Sequence, residues 1–129
     1  MRGDEISLTL PADEDFRGVA HLVLGGLAVR LDLTYESLED LELALDALLE
    51  RTRSEEDVTL RVRMSDDELH TIVGPFASVR NELERGDNDD LNLSRILGAV
   101  CDSVDISDRD GSQWVQLTKR FETLKGAAR

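Results

Sequence analysis

One cysteine, two prolines, one tryptophan, one tyrosine and three phenylalanines are all that 129 positions hold of these types. The lone Cys101 excludes an intramolecular disulfide and any multi-cysteine metal cluster. With aromatics at 4%, the burial of a 40% hydrophobic chain falls to Leu, Val, Ile and Ala. Positive charge is scarce as well: 15 Lys and Arg stand against 28 Asp and Glu, a net charge of −13. Phosphate backbones and anionic lipids are bound through clustered Lys and Arg, so nucleic-acid and membrane-surface roles are disfavoured. Such a charge favours solubility and basic partner surfaces. No apolar run approaches the roughly 20 residues that span a bilayer. No basic region followed by an apolar stretch opens the chain. The expectation is a cytoplasmic protein of one domain over residues 1–129, its core at about 5–122 and a frayed small polar tail at 123–129.

What is present is mostly periodic. Ile6, Leu8 and Leu10 alternate with polar neighbours as a half-buried strand does, and Pro11 ends the pattern. Asp13, Glu14 and Asp15 precede Phe16, Val19, Ala20, Val23, Leu27 and Leu31, which recur at helical spacing. Gly25-Gly26 weakens that helix by about 1 kcal/mol per glycine relative to Ala, which predicts another backbone packed close against it. A second helix is predicted from Thr34, its N-cap, to about Thr52, with Leu38, Leu41, Leu45 and Leu48 inward and Arg51 and Arg53 near its C-terminus.

Val58, Leu60, Val62 and Met64 predict a strand with one wet face, joined through residues 65–68 to a partner strand from Leu69 to Val73. Gly74-Pro75 is expected to break that partner. Residues 82–90, ELERGDNDD, are too acidic for a core. A third helix is predicted from Leu91 to Ser103, with Ile96, Leu97, Val100 and Val104 inward. A closing hairpin turns at Asp110-Gly111 and returns from Trp114 to Phe121. The order β-α-α-β-β-loop-α-β-β predicts an α+β fold, a two-layer sandwich with helices on one face of a mixed, mostly antiparallel sheet.

The stretch TYESLEDLELALDALLERT following an amphipathic helix, the opening from Ser7 to Leu45 and the ending from Asp102 to Phe121 resemble the GHKL ATPase superfamily, with its histidine kinase-like ATPase fold. Within it, the chain is most similar to the small anti-sigma-factor serine kinases of bacteria. The likeness covers Ser7 to Phe121. It lies in the hydrophobic pattern and not in the motifs.

Three family motifs can be checked. Glu-x-x-x-Asn on the second helix places a base and a Mg²⁺ ligand on one helical face. Here Ala47 stands at the Glu position and Arg51 at the Asn position. Asp46 and Glu50 offer carboxylates at the same spacing one position earlier, which reads first as a solvated helix face. Asp-x-Gly-x-Gly, whose Asp accepts from the adenine amine, is replaced by Val73-Gly74-Pro75-Phe76-Ala77; Pro75 and Ala77 stand at degenerate positions. The glycine-rich phosphate cradle is replaced by Asp89-Asp90-Leu91-Asn92-Leu93-Ser94. No catalytic, cofactor-binding or metal-binding residue is therefore assigned, and no cofactor is expected.

The remaining candidates weigh toward plain structure. His21 and His70 lie on different elements without a second ligand at metal spacing. Asp87-Asn88-Asp89-Asp90 lacks the EF-hand spacing. Ser94 and Ser112 have no histidine near in sequence, and Cys101 sits on an apolar stripe.

The resemblance implies that the outer face of the first helix serves dimerisation and partner contact, with Arg17 and His21 on or near it. It implies a regulatory protein partner, a sigma factor or an anti-sigma antagonist, and a homodimer through that helix. With the motifs lost, ATP binding and kinase activity are expected to be lost too. Two competing readings stand beside this one. The first is an active ATP-dependent serine/threonine kinase with rebuilt motifs and Asp46 or Glu50 as base. The second is a structural or interaction domain unrelated to sigma factors.

Overall fold

The computed structural model describes residues 5–11, 15, 17–51, 57–65, 67–76, 79 and 93–121. In chain order these form β1 (Glu5–Pro11), α1 (Arg17–Leu31), α2 (Tyr35–Leu49), β2 (Asp57–Ser65), β3 (Glu68–Phe76), α3 (Leu93–Val100), β4 (Ser103–Arg109) and β5 (Ser112–Arg120). The strands lie in the order β1-β2-β3-β5-β4, and every pairing is antiparallel. This is the expected α+β sandwich, its described sheet antiparallel throughout where a mixed, mostly antiparallel one was expected. Residues 123–129, where a frayed tail was expected, lie outside the described residues.

Alternation decides which face of the sheet is buried. Val58, Leu60 and Val62 on β2, Leu69, Thr71 and Val73 on β3, and Val115 and Leu117 on β5 point to one side and are buried. Leu41, Ala44, Leu45 and Leu48 of α2 are buried in the same cluster, with α1 and α3 packed on either side of α2. Thr34 caps α2 as expected, its hydroxyl accepting from the Ser37 N–H at 3.1 Å. The helix ends at Leu49, short of Thr52.

The first helix differs from its expected stripe. Ala20, Leu24, Leu27 and Ala28 are the buried residues, whereas Val19 is exposed and Phe16 lies outside the described residues. The helix is apolar almost all round, so its periodicity does not single out the arc that meets the sheet. Among the described residues no backbone packs on Gly25 or Gly26 either: a Cβ at each would meet nothing within 4 Å. The third helix stops at Val100, and Val104 belongs to β4, because Ser103 already pairs with Thr118.

Gly74-Pro75 does not end β3. It forms a bulge instead. Val73 opposes Val115 while Phe76 opposes Gln113, so three steps on β3 match two on β5. The extra residue returns Phe76 to the buried side with Val73. On the other side, the Trp114 ring lies over Gly74, where a Cβ would sit 2.5 Å from a ring carbon. The closing hairpin is as expected: Asp110 (φ 51°) and Gly111 (φ 81°) form a two-residue turn with both central residues at positive φ.

Gly74→Ala is expected to destabilise the protein by about 1–3 kcal/mol, the usual cost of forcing atoms into a filled space. Urea denaturation measures it, and replacing Trp114 by leucine in the same chain should recover part of the loss.

Candidate functional site

The described parts of the three motif segments lie at the C-terminal end of α2, in the bulge of β3 and at the start of α3. Ala47 is buried in the core and offers no functional group. Arg51 folds back along the helix: its Nη1 donates to the Ala47 carbonyl at 2.9 Å and lies 3.5 Å from Glu50 Oε1. A guanidinium here satisfies a carbonyl near the helix end and meets the negative end of the helix dipole. Pro75 is half-buried within the bulge, between Gly74 under Trp114 and buried Phe76. Just beyond, the Val79 N–H donates to Gln113 Oε1 at 2.7 Å. Ala77 and residues 82–92, including Asp87-Asn88-Asp89-Asp90, lie outside the described residues. Of the third motif segment, Leu93 and Ser94 open α3, with Leu93 buried.

His21 is turned into the seam between α1 and α2, away from the outer face on which it was placed. Its Nε2 lies 2.7 Å from Asp46 Oδ1 and its Nδ1 3.4 Å from Glu42 Oε2. Asp46, one of the two candidate bases, is thereby engaged by an imidazole, and Glu50 is exposed beside Arg51. Arg17 is half-buried in the first turn of α1. His70, on β3, lies 3.5 Å from Thr118 Oγ1 and from Glu68 Oε1. Among the described residues, no group of three or more His, Cys, Asp or Glu side chains is arranged to hold a metal ion.

The outer face of α1 carries a different signal. Leu22 and Val29 are 76% and 79% exposed. Gly18, Gly25 and Gly26 lie on the same side with open space at their Cβ positions. Elsewhere, a groove of about 370 Å³ opens between α1 and the far end of the strands. Ile6, Leu27, Leu31, Val62, Met64 and Leu69 line it, with Glu5 and Arg30 at exposed positions.

Sequence reasoning missed Lys119. It follows Val115 and Leu117 on the core-facing side of β5, at 12% side-chain exposure. Its Nζ donates to Asp40 Oδ2 on α2 at 3.3 Å and to the Val100 carbonyl at the end of α3 at 2.9 Å. One ammonium thus ties the sheet to two helices. The available signal was a lysine in register with two buried aliphatics, which needs a built partner to be tolerated. Beside it, burial pushes the Cys101 thiol up to about 11, against a smaller opposing effect of Lys119.

The thiolate is the reactive form, so native Cys101 should alkylate much more slowly at pH 8 than the same residue in urea. The unfolded chain loses this proton first as pH rises. Stability should therefore fall between about pH 9 and 11, and Cys101→Ser should flatten that part of the curve. Iodoacetamide kinetics and a pH series of denaturation midpoints test both expectations.

No family model matches the chain. It is 30% identical over 77 residues to the serine-protein kinase RsbW of Bacillus velezensis, a match covering 54% of this chain and 48% of that protein. It is 45% identical over 42 residues to the serine-protein kinase RsbW of Oceanobacillus iheyensis, covering 33% of this chain and 27% of the relative. The chain thus spans about half the length of these relatives or less. A crystal structure of the RsbU and RsbW domains of a Mycobacterium tuberculosis protein superposes on 92% of this chain and 32% of that one. The TM-score is 0.69 at 12% identity, a likeness of fold.

Proposed function

Starting from a chain that is similar to the RsbW-type serine-protein kinases in sequence and in fold, we propose a regulatory domain of the anti-sigma type that binds a protein and transfers no phosphate. The observation that carries this proposal is the end of α2. Where the family's Mg²⁺ ligand would stand, Arg51 extends a cation onto the Ala47 carbonyl, and where the base would stand a methyl group is buried. A guanidinium repels a divalent ion and cannot ligate it. The Val73–Phe76 segment supports the same conclusion. It carries no carboxylate for an adenine amine, and its one glycine lies beneath an indole ring.

The partner in this proposal is a transcription regulator, a sigma factor or an anti-sigma antagonist. It is held by occlusion: a surface of net charge −13 covers a basic region of the partner. Partner contact and homodimerisation are assigned to the outer face of α1. Leu22 and Val29 there expose apolar surface that a monomer leaves in water, and the three glycines allow close approach of a second backbone. Arg17 stands at the start of this helix, and His21 steadies it against α2.

Calorimetric titration of the purified protein with Mg²⁺ and ATP or ADP should give no saturable heat at millimolar nucleotide, and the melting temperature should not move. A nucleotide present at a hundredfold excess over its dissociation constant would stabilise the fold by about 2.7 kcal/mol. A saturable signal would overturn the nucleotide-free proposal.

Sedimentation should show a dimer for the wild-type chain and a monomer for Leu22→Glu that still melts cooperatively, at a temperature lowered by the loss of dimerisation. A monomeric wild-type chain at high micromolar concentration would sink the dimer.

A further inference from the structure

The three helices cover one side of the sheet, so the other side carries no helix among the described residues. The strand register builds a small grid there. Arg63 stands opposite His70, and in the next row Arg61 stands opposite Ile72. One step further lies Trp114, seated on Gly74, with the Arg109 guanidinium 5.9 Å from its ring centroid. Arg61 and Arg63 are both exposed, and neither has an ion-pair partner among the described residues.

This is an unusual place for these residues. The chain carries a net charge of −13 and a single tryptophan, yet that tryptophan and several cations share the sheet face that no described helix covers. Tryptophan and arginine are the residue types that most often dominate the free energy of protein interfaces. The indole is also held in place: the missing Cβ of Gly74 leaves the hollow its ring occupies, so the ring is presented without much loss of side-chain freedom.

We propose that this face docks an acidic polypeptide segment carrying an apolar side chain. Its carboxylates meet Arg61 and Arg63, and its apolar side chain covers Trp114 and Ile72. Charge complementarity selects the partner, since like-charged surfaces dominate the rest of the molecule and turn an acidic segment away elsewhere. A single strand of nucleic acid could also stack on Trp114. It would bring a phosphate at every nucleotide to a strongly acidic protein, whereas a polypeptide can space its carboxylates to meet Arg61 and Arg63 and place other residues beside Glu5 and Glu68 on this same face, and the acidic polypeptide is favoured. The surface is separate from the outer face of α1, so either assignment can fail alone.

Trp114 supplies its own readout, because it is the single tryptophan. A short peptide of alternating glutamate and leucine should shift its fluorescence saturably, and the matching lysine–leucine peptide should not. The double variant R61E/R63E should weaken binding by about tenfold or more. Leu22→Glu should leave it unchanged. Circular dichroism and the melting temperature report whether the double variant folds, and R61Q/R63Q serves in its place if it does not. The proposal is overturned if the glutamate–leucine peptide gives no saturable change, or if the folded variant binds as well as wild type. Tighter binding of a short oligothymidylate would overturn it in favour of nucleic acid.

Discussion

Contact between one face of five antiparallel strands and a single layer of helices holds this molecule together. Val73, Val115, Leu48 and Leu97 are at 0% exposure and meet in that layer. Burial of this kind is worth roughly 1.5–3 kcal/mol for each fully enclosed aliphatic side chain, far more than any surface ion pair here. Because side chains alternate along a strand, a single misplaced residue would send a strand's apolar set into water. The bulge at Gly74-Pro75 adds one residue to β3 relative to β5 and so keeps Phe76 on the buried side. Lys119 belongs to the same layer. It stands where an aliphatic would be expected, and it is tolerated because Asp40 and the Val100 carbonyl receive its ammonium.

Where the chain's pattern has a strong period, it is legible. The strands around Leu8, Leu60, Val62 and Val115, the Thr34 cap and the Asp110-Gly111 turn all stand where alternation, capping and positive φ place them. Legibility is lost where two physical effects compete. In α1, apolar residues on every side leave the buried arc to be chosen by tertiary contact, so Leu24 is buried and Val19 is not. At Gly74-Pro75, a breaker of regular strands is also the usual material of a bulge, and local chemistry does not separate the two outcomes. His21 reads as a surface residue because its partners, Glu42 and Asp46, are more than twenty positions away. The residues that stand at the motif positions were readable throughout, since whether a carboxylate or glycine is present needs no coordinates.

At the described end of α2 and at the bulge of β3, polar groups are engaged within the chain. Arg51 returns to its own helix, Gln113 accepts from the Val79 N–H, and Trp114 occupies the hollow above a glycine. Each of these groups is satisfied within the chain. Among the described residues, exposed apolar side chains stand on the outer side of α1, and exposed arginines without an ion-pair partner stand on the side of the sheet that carries no described helix. That distribution is what the proposed role in protein binding draws on.

The two margins of the sheet are treated differently. β4 carries Asp105, Asp108 and Arg109 along its length, whereas β1 between Glu5 and Pro11 reads Ile-Ser-Leu-Thr-Leu without a charge. Charged side chains on a margin discourage a foreign strand from pairing there, because its approach would desolvate them. Among the described residues nothing of that kind guards the middle of β1. If the concentrated or partly unfolded protein aggregates through its sheet, growth should therefore be one-sided: it begins at β1, and a lysine placed at Ser7 or Thr9 is the shortest route to suppressing it.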